Sequence, residues 1–393
     1  MAIISEVSGT SGSELPEVWR RACTGATVRL PPSSSNYLDS VLDSSVQYIE
    51  SRSQSQSPMV TVNSERVKEY VDGLDVKKFD KYVKHVNSWS RNLPLVFDNV
   101  AQEMNLIALV DLLQFGSGYR EELHRSSGRG ASDTINFGCM SLHISQTPVD
   151  AEGLLALSLG DVSQHFGIPL FGDERPMQKG NTAVMISEAS ELRPLAEIIL
   201  GTLHDTGRRL KQAGFVSLAD FIIKVCTEQA TASHLVSKLV GALPSLRDAV
   251  EIDGQPVYLF KKAQLMAYDI CQRFGKNDSK FAFPDIDRMT LFADNVVPAM
   301  VQHHGLITPC QEIASKVESG RELSLEETTA MRAASIVAAQ EVVDYANKSA
   351  STSFKAGDIA LCQATIDNYW WQEGKEPELR KIKRLVYKQT VYF

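Results

Sequence analysis

The sequence predicts a mainly α-helical fold, a single helical domain with minor β-structure. Three observations lead there. Apolar residues recur at helical spacing in four separate stretches, two of these open on a serine at a capping position, and only two short segments read as strands.

In chain order, residues 1–57 are rich in serine, as in "PPSSSNYLDS" and "ESRSQSQSP". This composition reads as a partly flexible N-terminal extension or loosely packed arm with one helix near Tyr37 to Ile49. From residue 58 to 393 the pattern is that of one globular domain. "SERVKEYVDGL" starts on a capping Ser64 and puts Val67, Tyr70, Val71 and Leu74 on one face. "NLIALVDLLQF", ending at Phe115, is apolar enough for a buried helix. Leu195, Ile198, Ile199 and Leu203 mark a third helix, and Ala263, Met266 and Ile270 a fourth. Ser324 with Glu327 three residues on forms a capping box ahead of Met331, Ala334, Ala338, Val342 and Tyr345. The strand candidates are the alternating end "RLVYKQTVYF" and, more weakly, "PVYLF".

The bulk numbers narrow the class. The chain has 393 residues, 43% apolar and 22% charged, values of an ordinary globular protein. A net charge of −8 argues against broad binding to a nucleic-acid backbone, which needs many phosphate-neutralising cations. It leaves room for a small phosphorylated ligand held by two or three basic groups. The six cysteines form no CxxC pair and stand at no zinc spacing, so they read as reduced thiols of a cytoplasmic protein. No apolar run reaches the length of a membrane span, and the acidic start lacks the features of a secretory signal.

Five places are candidates for chemistry, each with a structural reading beside it. In "TLFADNVVPAMVQHHG" an acid, Asp294, stands in apolar company before Pro298. Proline favours the first turn of a helix and clashes inside one, so a helix is expected to end near Ala293 and another to begin near Val297. Asp294 or Asn295 then sits at a helix N-terminus, either as a plain cap or as a carboxylate facing a cavity. Lys261 and Lys262 follow "VYLF" and suit either a phosphate or a solvated turn. The stretch 116–130 is rich in glycine and carries Arg120, Arg125 and Arg129, which fits an anion contact or a tight turn; it matches neither GxxxxGK[ST] nor GxGxxG. Tyr369, Trp370 and Trp371 are adjacent, so a helix points them to different sides, for core packing or for stacking on a base. His303 and His304 have no third ligand in view and read as a helix-end pair rather than a metal site.

Taken in order, "VTVNSERVKEYVDGL", "ALPSLRDAVEIDGQPVYLFKKAQLMAYDI", "MTLFADNVVP", "TIDNYWWQ" and "TVYF" resemble the queuosine salvage family of queuosine 5′-phosphate N-glycosylases. The resemblance runs from about Val60 to Phe393 and is most specific between Pro244 and Gly305. It implies a helical fold similar to DNA glycosylases. It also implies hydrolysis of the bond between a 7-deazaguanine base and ribose 5-phosphate, with no cofactor or metal and no direct nucleic-acid or membrane partner. By position it makes Asp294 the catalytic carboxylate. Phosphate contact falls to Lys261 and Lys262, and Phe115 and Tyr369 to Trp371 are the matching aromatics; Arg120 and Arg129 are candidate replacement cations, Phe292 is a further candidate wall for the base, and Asn295 a further candidate substrate contact. The sequence departs from the family pattern at Gly116, Ser117 and Val296. A non-catalytic protein that binds a modified nucleotide or base is the alternative reading.

Overall fold

The computed structural model describes residues 15–53, 58–86, 95–176, 185–348 and 361–393. It is mostly helical, with three two-stranded antiparallel sheets among the described residues. The described residues fall into two compact units. The described residues within Met1–Cys23, Asn99–Phe221 and Lys388–Val391 belong to the first, and those within Thr24–Asp98, Ile222–Tyr387 and Tyr392–Phe393 to the second. Each is assembled from separated stretches, so no linker composition marks a boundary between them.

In the first unit the helix Val100–Leu112 is apolar on nearly every side and buried from Glu103 to Leu112. The Asn99 side chain accepts from the Gln102 N–H and caps it. The long helix Arg193–Gln212 turns Leu195, Ile198, Ile199, Leu203 and Leu210 inward. Gly201 on this helix lies flush against Trp19, where an added Cβ would come within 2.5 Å of the indole. Trp19 Nε1 donates to Thr202 Oγ1 at 3.0 Å.

The second unit is built around the helix Leu325–Lys348, buried over most of its circumference. Its capping box is formed: the Glu327 N–H donates to Ser324 Oγ, and the Ser324 N–H to Glu327 Oε2. The hairpin Ala249–Ile252 and Gln255–Tyr258 turns through Asp253 and Gly254, both at positive φ, as a two-residue primed turn requires. Val60–Val62 pairs antiparallel with Ile307–Pro309, Val60 opposite Pro309.

Four expectations change. Residues 15–53 are more packed than a loose arm: beside the expected helix, Tyr37–Ser53, they form Glu17–Ala22 and bury Trp19, Tyr37, Leu38, Val41 and Tyr48. Serine content hid an apolar face that repeats at helical spacing; residues 1–14 and 54–57 lie outside the described residues. Asn63, not Ser64, precedes the helix Ser64–Asp72, and its amide donates to Gly305 O and Thr308 Oγ1. The arginine-rich stretch 116–130 is largely a helix, Arg120–Ser127, between left-handed Gly116 and Gly128. Gly128 closes that helix with its N–H on His124 O. The end of the chain makes no strand beyond one isolated bridge at Val386. Of its apolar residues Leu385, Val391, Tyr392 and Phe393 are buried.

Candidate active site

Residues Met289–Ala293 lie in neither helix nor strand, where the sequence predicts a helix end. A segment outside helix and sheet has backbone groups with no ladder to join, and buried side chains meet them. The Thr290 N–H donates to Gln264 Oε1, the Leu291 N–H to Gln363 Oε1, and the Phe292 N–H to Asp367 Oδ1, each at 2.9–3.0 Å. The Ala293 carbonyl accepts from Arg332 Nε at 2.7 Å. Those side-chain partners take the place of a helical ladder along the segment up to Asp294.

There the chain enters the helix Val296–His303. Asn295 occupies the capping position, but the cap is made by Asp294: its Oδ1 accepts from the N–H groups of Val296 at 2.7 Å and Val297 at 3.0 Å. Two N–H donors at a helix start favour a negative charge at that spot. Asp294 is half-buried, between Ala293 and Asn295, which are buried.

Lys261 opens the helix Lys261–Phe274 and is buried. Burial lowers its pKa below the ordinary 10.5, opposed first by the charge of Asp294 and, further down, by Asp367 and Asp248. Asp367, on the helix Gln363–Glu373, is also buried. Its carboxyl is pushed well above 3.8, by burial first and then by the charge of Asp294. Two carboxyls and a lysine therefore interact within one buried cluster. Of the two acids, Asp367 is biased toward its neutral form, whereas Asp294 is seated on backbone donors.

A second charged pair adjoins them. Arg332 and Asp248 are 3% and 4% exposed and form a two-pronged ion pair, Nη1 to Oδ1 at 3.0 Å and Nη2 to Oδ2 at 2.5 Å. Asp248 Oδ2 also accepts from the Lys261 N–H at 3.3 Å. The Asp248 carbonyl accepts from the Leu259 and Phe260 N–H groups. Phe260 is held at φ 45°, a left-handed conformation rare outside glycine.

The remaining sequence candidates separate. Lys262 is fully buried, not a residue of a solvated turn. Phe292 is buried with its ring 5.6 Å from that of Tyr268. Tyr369 packs on Phe79 and Tyr82, and Trp370 gives its indole N–H to Tyr70 Oη at 2.7 Å. Those two are core residues, while Trp371 is half-exposed with the Lys375 amine over its ring. Phe115, Arg120 and Arg129 belong to the first unit. There Phe115 is buried, Arg120 starts a helix, and Arg129 lies over the Phe137 ring at 4.0 Å. His304 meets a carboxylate, Glu373, at 2.6 Å. Sequence reasoning passed over Asp248, Asp367 and Arg332. Asp367 left a signal, an acid beside an aromatic run ("TIDNYWW"), whereas Asp248 follows a basic residue in "PSLRDAV" and Arg332 reads as an ordinary helix-surface residue.

A family model described as queuosine salvage protein matches residues 174–393, more than half of the chain. The chain belongs to the queuosine salvage protein family. Three similar proteins each carry the name queuosine 5′-phosphate N-glycosylase/hydrolase. One, from Sphaerobacter thermophilus, is 26% identical over 65% of this chain and 80% of its own length. One from Nematostella vectensis is 28% identical over 49% of this chain and 57% of its own. One from Schizosaccharomyces pombe is 25% identical over 55% and 61%. In the last two the match spans a little under two thirds of the relative. All five residues of the charged cluster in this queuosine salvage family member, Asp248, Lys261, Asp294, Arg332 and Asp367, fall within the family match. Among the described residues no group of three or more His, Cys, Asp or Glu is placed to hold a metal ion, and no helix is long and apolar enough to cross a membrane.

Proposed function

We propose that this chain hydrolyses the N-glycosidic bond of queuosine 5′-phosphate, releasing queuine base for reuse in tRNA modification, with Asp294 as the catalytic carboxylate. Family membership and the shared name of the relatives support the substrate. One observation supports the residue: Asp294 Oδ1 is seated on two helix N–H groups inside a buried charged cluster. Breaking the bond builds positive charge on the ribose. A preorganised carboxylate stabilises that charge and can orient or deprotonate the attacking water. A 7-deazapurine has no N7 to protonate, which shifts more of the barrier onto this electrostatic help. Lys261 brings an amine into the same cluster, and an incoming substrate phosphate would favour its charged form.

The test is release of queuine from queuosine 5′-phosphate, followed by chromatography, for the wild-type chain and Asp294→Asn. Asparagine caps a helix about as well as aspartate, so the fold and melting temperature should hold. Single-turnover hydrolysis should fall roughly 10²–10³-fold. Near-normal turnover in the variant would make Asp294 structural. Nucleotide binding without any base release by the wild type would leave a binding protein. The phosphate should also act as a remote handle, so the nucleotide should exceed the nucleoside in kcat/KM; equal values would remove the phosphate contact.

A further inference from the structure

We infer that Arg332 is a positioning residue for this reaction: through Asp248 and the Ala293 carbonyl it fixes the Asp294 carboxylate relative to the start of the Lys261 helix. The inference rests on the function proposed above. The Arg332 guanidinium is engaged on every side. Its fork holds Asp248, its Nε holds the peptide directly preceding Asp294, and its face lies 4.2 Å from the centre of the Phe393 ring. On the far side of the pair, Asp248 receives the Lys261 N–H on its carboxylate. Its carbonyl receives the N–H groups of Leu259 and of left-handed Phe260. One planar group therefore ties together the two chain segments that carry Asp294 and Lys261, which are 33 positions apart in sequence. Stability does not account for such an arrangement, because a buried ion pair is often no more stabilising than apolar side chains of the same volume. Lysine could not reproduce it, since it offers a point charge in place of three donors in a fixed plane.

The experiment uses the full chain with three variants. Arg332→Lys keeps the charge and loses the fork. Asp248→Asn with Arg332→Met removes both charges at similar volume. Asp248→Glu keeps the ion pair and displaces it by one methylene, and stays informative should the others fail to fold. Melting temperature, KM and single-turnover hydrolysis of queuosine 5′-phosphate are measured for each. The expected result is a rate loss on the order of 10²-fold in folded protein, the effect of a small misplacement of a reacting group. KM should move by less than about threefold. A merely structural role would lower the melting temperature and leave the rate per folded molecule unchanged. Folded variants that turn over like an active wild type overturn the inference alone. A wild type that releases no base overturns the proposed function and this inference with it.

Discussion

Two arginine–carboxylate pairs in this molecule have the same chemistry and opposite surroundings. Arg125 and Glu191, in the first unit, meet at 2.5 Å with side chains 65% and 58% exposed. Arg332 and Asp248, in the second, meet at the same distance and are 3% and 4% exposed. Water and salt screen the first pair and compete for both partners. The second is almost wholly shielded from bulk solvent, so each partner relies on the other, and on Ala293 and Lys261, for hydrogen bonds. Distance alone therefore says little about what an ion pair does. The exposed pair dresses a surface, and the buried one dictates geometry.

The largest effect should come from breaking the buried pair on one side. Arg332→Met leaves the Asp248 carboxylate buried without its guanidinium, and should destabilise the fold by about 3–5 kcal/mol in denaturant melts. A loss below about 1 kcal/mol, the range of exposed pairs, would erase the contrast. A pH series on Asp367 sharpens it. The folded-state pKa of Asp367 is raised above 3.8, so the folded state binds more protons than the unfolded state from there up to the raised value. Its contribution to stability is then fully present below the unfolded value and declines as pH rises through the folded one. Asp367→Asn keeps an oxygen for the Phe292 N–H and removes the titration. As pH rises from the unfolded value toward the raised folded one, the wild type should lose stability relative to this variant; parallel melting curves would show that Asp367 is not held neutral. The smallest effect belongs to the exposed pair. Arg125→Ala should change stability by less than about 1 kcal/mol, and salt should abolish what change there is.

The parts legible in the sequence are those written in neighbouring residues. The Ser324 and Glu327 box, the strand at "PVYLF" and the helix start beside Asp294 each depend on contacts a few positions apart. The segment Met289–Ala293 was not legible, because its backbone partners lie 26, 72, 75 and 39 positions away, at Gln264, Gln363, Asp367 and Arg332. Apolar periodicity carries no trace of such bonds. The same limit explains the two lysines. A local reading sees two adjacent charges and expects solvent, whereas burial of Lys261 and Lys262 depends on elements from distant parts of the chain. Tyr369 and Trp370 show the reverse case: packing, the commoner fate of adjacent aromatics on a helix, is what the fold gives them.

The pairing of Val60–Val62 with Ile307–Pro309 has a consequence for how the protein is made. The first strand leaves the ribosome long before its partner exists, and at about 5–20 residues per second it waits for tens of seconds. Until then its edge is unpaired, and the helices that later flank it can only form provisional contacts. The extra entropy of closing so long a loop is modest, since each doubling of length adds about 0.6 kcal/mol. The delay is therefore one of timing: the second unit completes itself only after most of the chain has been synthesised, and a nascent chain stalled before residue 307 should still expose that strand to proteolysis.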